Sequence, residues 1–134
     1  MWPAVFSVLD AGALVELLLR GPAADAVGKA VRERELAAPV ILDAEVLSAL
    51  RGLNRGGLLG AERAEFALSR LRTAPVQRMP VRSLLPIAWT LRHNLSAYDA
   101  LYVALATALN CPLVTTDARL AAAPALPAEV LLIG

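Results

Sequence analysis

Four acidic residues interrupt otherwise apolar stretches of this chain: Asp10, Glu45, Asp99 and Asp117. Acids that are brought together without a counterion repel one another and raise one another's pKa, and the sequence offers no nearby lysine to neutralise these four. A divalent cation such as Mg²⁺ or Mn²⁺ would do so, because these ions take carboxylate and water ligands. Such a cation can activate water and stabilise the in-line displacement at a phosphodiester.

The segment Asn94–Asp117 is expected to position two of these acids. Its pattern predicts a helix from about Ser96 to Leu109. This helix is apolar nearly all round, which is typical of a buried helix. The short apolar run Leu113–Thr115 that follows is typical of a buried parallel strand. Since a helix runs antiparallel to the next strand in an αβ unit, Asp99 and Asp117 should face one another at one edge of the sheet.

The other two acids are expected at the same edge. Asp10 directly follows Val5–Leu9, which is most simply a first strand, and open α/β sheets place ligands at the carboxyl ends of strands. Glu45 lies in the first turn of a helix, Ala44–Asn54, that follows a second predicted strand, Pro39–Leu42. Four carboxylates from separate parts of the chain should therefore converge.

The remaining hydrophobic patterns predict a single α/β domain over residues 1–134. Further helices are predicted at Ala13–Arg20, Asp25–Arg34, Gly60–Leu71, Ser83 to about His93 and, as a short helix or turn, Ala118–Ala123; further strands are predicted at Val76–Val81 and Glu129–Ile133. The helix that carries Glu45 has a predicted core stripe of Val46, Leu47, Leu50 and Leu53. This alternation requires a central parallel sheet of four to five strands with helices on both faces.

Each acid also has a purely structural interpretation. The stretch S-A-Y-D that ends at Asp99 is a capping box, which would explain that acid as helix chemistry alone. Asp117 would cap the turn after it, and Asp10 would cap the first helix, although an apolar strand running straight into an acid argues against this. Glu45 alone would be a solvated side chain, and Asp43 is better explained as a helix N-cap than as a ligand. The shared edge favours a site over these separate explanations.

Four blocks of the chain resemble the successive motifs of PIN-domain proteins, specifically VapC-type toxins. In order, they are VFSVLDAGALVELL, APVILDAEVLSALRGL, NLSAYDALYVALA and PLVTTDARLAAA, of which the last two are the most specific. The resemblance covers essentially the whole chain. It implies an endoribonuclease toxin of a toxin–antitoxin pair that depends on Mg²⁺ or Mn²⁺, with Asp10, Glu45, Asp99 and Asp117 at the metal-site positions.

The resemblance also bears on residues near the acids. The family often has Ser or Thr two residues after the first acid, where this chain has Gly12 and no side-chain hydroxyl. Thr115, two residues before the last acid, is expected to hydrogen-bond a ligand carboxylate or a water. Arg119 is a candidate contact for an RNA phosphate, with a solvated charge as the alternative. His93, the only histidine, is a less favoured acid–base candidate than a surface helix end.

The resemblance further implies an RNA substrate, a homodimer and a small antitoxin that docks against the helices Ala13–Arg20 and Asp25–Arg34. A basic antitoxin side chain at the acidic edge would neutralise the carboxylates and compete with the metal. Only six aromatic residues occur, and Trp2, Phe6 and Trp89 are predicted to be packed. No stacking platform for single-stranded RNA is evident, so recognition is expected to depend on substrate shape and backbone contacts.

Composition restricts the location of the protein and its partners. With a net charge of +1, the chain as a whole has no large excess of positive charge that would attract nucleic acid. A single cysteine, Cys111, is typical of a reducing cytosol. The N-terminal stretch lacks a basic region, and no apolar run reaches about 18 residues without a charge, so a soluble cytoplasmic protein without membrane association is expected.

Two alternative classes remain open from the sequence. One is a catalytically inactive PIN-like binding module, which the presence of all four acids disfavours. The other is a receiver-like phosphoacceptor domain, which also gathers acids at strand ends. That class needs a lysine near the last strand, and the only lysine, Lys29, lies far from it in the chain.

Overall fold

The computed structural model of the chain describes residues 5–134. Five parallel strands form one sheet in the order β3-β2-β1-β4-β5: β1 Phe6–Leu9, β2 Glu35–Pro39, β3 Val76–Met79, β4 Leu113–Thr115 and β5 Val130–Leu132. The helices of this part of the chain are α1 Ala11–Leu19, α2 Ala24–Ala30, α3 Leu42–Arg55, α4 Ala61–Thr73, α5 Leu85–Thr90, α6 Ala97–Leu109 and α7 Ala118–Ala121. The predicted fold class is confirmed.

The helix α6 and the strand β4 form the centre of the domain. Every residue from 100 to 106 in α6 is buried, and β4 is buried along its whole length. Ser96 caps the start of α6, and Asn110 ends it in the left-handed conformation with a φ of 50°. The predicted bounds of both elements are correct, because apolar content, capping residues and the break before Pro112 all indicate the same limits.

The second strand lies earlier than predicted, at Glu35–Pro39 rather than Pro39–Leu42. Alanines are weak strand formers, but Ala37 and Ala38 are fully buried, which shows that packing overrides propensity here. Leu42 instead opens α3, with Ile41 as its N-cap.

The prediction that Asp43 is an N-cap is wrong, because this residue lies inside the first turn of α3. Its carboxylate accepts two hydrogen bonds from the guanidinium of Arg78, at 2.9 and 3.2 Å. Arg78 also donates to the backbone carbonyls of Leu71, Ala74 and Val76, at 2.7, 2.9 and 2.7 Å. Asp43 therefore ties α3 to β3 and to the end of α4, and has a structural role.

Several helix bounds also differ from prediction. α1 begins at Ala11 rather than Ala13, because Asp10 is its N-cap. α2 ends at Ala30, which leaves Arg34 free to donate to the hydroxyl of Ser7 and the carbonyl of Phe6 in β1. The helix predicted from Ser83 is divided into a 3₁₀ turn, Arg82–Leu84, and α5, so Ser83 does not cap it.

Two apolar side chains that were predicted to be packed are exposed. Leu47 is 52% exposed, although Val46 and Leu50 on the same helix are buried. Trp89 is 67% exposed and its ring lies under the guanidinium of Arg92. Phe6 packs against the core as predicted, and Trp2 lies outside the described residues. None of the helices within residues 5–134 has the length and apolarity that a membrane crossing requires.

Candidate functional site

The acidic edge, defined by Asp10, Glu45, Asp99 and Asp117, lies where the strand order reverses. From β1 the chain adds β2 and β3 on one side, and β4 and β5 on the other. β1 and β4 are therefore neighbours whose carboxyl ends open at a topological switch point, where open α/β sheets bind ligands. Asp10 follows β1 directly and Asp117 follows β4 by two residues.

Asp10 is the most buried of the four acids, with 8% of its surface exposed. Its Oδ1 accepts the backbone N–H of Ala13 at 2.8 Å, so it caps α1, which the sequence had disfavoured. Its Oδ2 accepts the hydroxyl of Thr115. Burial nevertheless raises the pKa of Asp10, against the lowering effect of these two bonds, and the charges of Asp99 and Asp117 raise it further. Asp10 therefore both caps α1 and belongs to the acidic edge.

Thr115 links the first acid to the last. Its buried hydroxyl donates to Asp10 and accepts the backbone N–H of Asp117 at 2.9 Å. The expected bond from this hydroxyl to an acid of the edge is present. A Cβ built at Gly12 would lie 3.2 Å from Thr116 Oγ1 and 3.7 Å from Asp10 Oδ1. A side chain at position 12 would therefore approach both groups.

The backbone N–H of Asp99 is bound at the start of its own helix. Its N–H donates to Ser96 Oγ at 3.2 Å. Burial raises the pKa of Asp99 and the charge of Asp117 raises it further, while the Ser96 hydroxyl and Arg119 lower it. The Ser96 hydroxyl therefore acts on both the backbone and the carboxyl of Asp99, and the effects of Asp117 and Arg119 on that carboxyl show that it lies close to them.

Asp117 is exposed and caps α7 as the sequence suggested. Its Oδ1 accepts the backbone N–H groups of Arg119 and Leu120, at 2.9 and 3.4 Å. The guanidinium of Arg119 is exposed and close enough to Asp99 to lower the pKa of that carboxyl. His93 is also exposed, which agrees with the predicted surface position.

Glu45 reaches the edge from the first turn of α3 and has a neighbour that the sequence did not single out, Tyr102. Burial raises the pKa of Glu45 and the charge of Asp99 raises it further, while the hydroxyl of Tyr102 lowers it. Neither the buried Glu45 Oε1 nor the Tyr102 hydroxyl has a partner in hydrogen-bond geometry within the described part of the chain. Tyr102 belongs to the helix that the sequence predicted to be apolar nearly all round; its position three residues after Asp99, on the same helix face, was the available signal.

Within residues 5–134, no three Asp, Glu, His or Cys side chains lie close enough together, in their present positions, to hold a metal ion. Asp10 and Asp117 each direct an oxygen at a helix N-terminus. The four acids share an edge, but a cation would have to draw their side chains together.

The raised pKa values predict how stability depends on pH. An acid whose pKa is higher in the folded than in the unfolded state stabilises the fold at low pH, and that contribution is lost as the pH rises through the folded-state pKa. The ordinary values for Asp10, Glu45 and Asp99 are 3.8, 4.5 and 3.8. In buffer without divalent cations, the melting temperature is expected to fall as the pH rises above about 4.

The variant Asp10→Asn preserves an N-cap oxygen and removes the charge. It also loses the oxygen that accepts from Thr115, so the test is the pH dependence of its melting temperature rather than the value at one pH. Its melting temperature relative to the wild type should rise steadily with pH, measured by circular dichroism from acid to neutral pH. A difference that stays constant over this range would contradict a raised pKa at Asp10.

Comparisons with known proteins agree with this architecture. A family model described as PIN domain matches residues 7–126. Ribonuclease VapC1 of Mycobacterium tuberculosis is 45% identical over 128 residues, which cover 94% of this chain and 96% of that protein. In the crystal structure of VapBC2 from Rickettsia felis, bound to a DNA fragment from their promoter, a chain with 14% identity superposes with a TM-score of 0.71 and covers 97% of this chain and 100% of that chain. A chain of a toxin–antitoxin complex from Klebsiella pneumoniae superposes at 0.59 with 21% identity, covering 92% of this chain and 98% of that chain.

Proposed function

Because the chain belongs to the PIN-domain family, and to its VapC-type ribonucleases, we propose that it is an endoribonuclease toxin that hydrolyses RNA phosphodiester bonds at the acidic edge. The observation that supports the choice of site is that four carboxylates from separate elements lie along the same edge of the sheet, at its switch point. Three of them, Asp10, Glu45 and Asp99, have a pKa raised by burial. Such perturbed groups in one place are typical of functional sites.

The donor set of the edge fits a hard divalent cation. Its side chains offer carboxylate and hydroxyl oxygens, which Mg²⁺ and Mn²⁺ prefer, and Glu45 has a buried oxygen without a partner. Asp10, Asp99, Asp117 and Glu45 are the residues that would hold the cation. When bound, it would supply an activated water and stabilise the charge that develops on the phosphate.

The residues of the chain have separate tasks around that cation. Thr115 fixes the orientation of Asp10 through its hydroxyl and holds the backbone at Asp117. Arg119, exposed beside Asp99, is placed to bind an RNA phosphate and so to bring the backbone of the substrate to the acids. The acids themselves are too negative to attract RNA, so substrate binding depends on such basic groups and on the cation.

The purified protein is expected to cleave RNA in Mg²⁺ or Mn²⁺ and to stop when EDTA is added. The physical reason is that four carboxylates without a cation repel a phosphodiester rather than activate its hydrolysis. Cleavage of a mixed single-stranded RNA, followed on denaturing gels, measures this, and re-addition of excess Mn²⁺ to the EDTA-treated sample is the control. Cleavage at equal rate in EDTA would refute a metal-dependent site, and no cleavage under any condition would favour the inactive binding module.

The partner proposed for this toxin is a small antitoxin, as in the complex from Klebsiella pneumoniae that shares its fold. A homodimer and a cytoplasmic location are further parts of the proposal that follow from the family. The helix pair α1–α2, where the sequence suggested that an antitoxin docks, buries Leu14, Leu18 and Val27 in the core. Of its other apolar residues, Ala26 is exposed and Val15, Leu17 and Ala30 are half-buried, as is Val31 directly after α2, so such docking would use these side chains.

A further inference from the structure

Tyr102 is a polar group in the centre of the core. It lies in the middle of α6, and 2% of its surface is exposed. Its hydroxyl is buried and has no hydrogen-bond partner within residues 5–134. Leaving a buried hydroxyl without a partner costs about 1–3 kcal/mol, so phenylalanine would serve better if this side chain only filled space. We therefore expect the Tyr102 hydroxyl to have a hydrogen-bond partner at the acidic edge.

The available partner is Glu45. Its Oε1 is likewise buried without a partner, and its carboxylate lies beside the Tyr102 hydroxyl. A phenol hydroxyl can donate a hydrogen bond and a carboxylate oxygen can accept one, so these two buried atoms are complementary. Tyr102 also lies one helical turn from Asp99, on the same face of α6.

We propose that Tyr102 is the positioning residue of Glu45: a small adjustment of these two unpartnered side chains lets the Tyr102 hydroxyl donate a hydrogen bond to the Glu45 carboxylate, which is then held at the acidic edge, oriented toward a divalent cation. The inference rests on the proposed function for the identity of the ion. Outer partners of this kind fix the orientation of a ligand and typically change metal affinity by about 10–100-fold.

Calorimetric titration of the full chain with MnCl₂ tests this through binding rather than catalysis. Tyr102→Phe is expected to weaken Mn²⁺ binding by about 10-fold. In a Glu45→Ala background the same substitution should have no further effect, because the group that Tyr102 orients is gone. Tyr98→Phe is the matched control, since Tyr98 lies on the same helix, is 59% exposed and should bind Mn²⁺ as the wild type does.

Equal weakening by Tyr102→Phe in both backgrounds, or a lower melting temperature without a change in Mn²⁺ affinity, would overturn the proposal in favour of a packing role. A second measurement without metal separates it from the proposed function. A phenol that donates to a carboxylate absorbs at longer wavelength, so Glu45→Ala should shift the tyrosine band in the wild type and not in Tyr102→Phe. If that shift occurs while the wild type binds no Mn²⁺, the metal site is refuted and the positioning contact stands; if the shift is absent, the positioning contact is refuted.

Discussion

Replacing Asp99 with Asn is expected to lower the rate of RNA cleavage by at least about 100-fold, since even the outer partners of metal ligands are worth about 10–100-fold. Asp10→Asn and Asp117→Asn should behave in the same way. Each substitution preserves the size of the side chain and removes one of the charges that would bind the cation. Cleavage rates at saturating Mn²⁺ measure the effect.

The same substitution should leave the fold intact and make the metal-free protein more stable. The pKa of Asp99 is raised by burial and by Asp117, so its charge is unfavourable in the folded state. Its backbone N–H, which donates to Ser96 Oγ, is retained in Asn, and the side-chain oxygen of Asn can still accept from the Ser96 hydroxyl. A higher melting temperature in EDTA together with lost cleavage is therefore the expected pair of results.

Acids at the opposite edge of the sheet provide the control. Glu35 begins β2 and Glu129 precedes β5, so both lie at the amino ends of parallel strands and both are exposed. Glu35→Gln and Glu129→Gln should change neither cleavage nor the stability gained in EDTA. If Asp99→Asn retains full activity and melts at a lower temperature, helix capping is the whole role of that residue.

The acidic edge could be predicted from sequence because topology alone determines it. Parallel strands share one carboxyl edge, so an acid after a strand and an acid at the start of a packed helix must meet there. The bounds of α6 and β4 were correct for a related reason, since burial, caps and breaks all agreed around Leu113–Thr115. Local and tertiary signals pointed the same way.

The errors arose where tertiary packing decided the outcome. β2 consists of small residues whose strand character comes from burial of Ala37 and Ala38, which no local pattern indicates. Asp43 was assigned to a cap because its partner, Arg78, lies 35 residues away in the chain. Tyr102 was hidden in an apolar helix, and only the three-dimensional structure places its hydroxyl beside Glu45. Side-chain contacts between residues that are far apart in the chain could not be predicted from the sequence.

The antitoxin is expected to abolish cleavage by bringing a basic side chain to the acidic edge. Three acids there carry a pKa raised by burial or by one another, so an arginine would relieve an unfavourable charge and also occupy the place of the cation. Among the groups that affect the pKa of Asp99, the positively charged one is Arg119; it is exposed, and its lowering effect does not offset the burial that raises this pKa. Inhibition should therefore be nearly complete at low salt.

Part of this affinity is Coulombic, so it should weaken as the salt concentration rises and the screening length falls from about 10 Å at 0.1 M to about 3 Å at 1 M. The partner to test is the product of any small gene found directly beside the toxin gene, co-expressed and purified in complex. Its Kd and the residual cleavage are measured across a salt series. A complex that forms while the nuclease stays fully active would show that the partner binds away from the acidic edge.

A charge-neutral toxin locates the interaction independently of catalysis. The triple variant Asp10→Asn, Asp99→Asn, Asp117→Asn removes the negative charge from the edge, and should bind the antitoxin more weakly with a flatter dependence of log Kd on log salt. The double variant Glu35→Gln, Glu129→Gln removes charge from the opposite edge and should match the wild type in both quantities. Because the triple variant needs no activity for this measurement, an unchanged salt slope would refute the charge-based mechanism even if the wild-type toxin is inhibited.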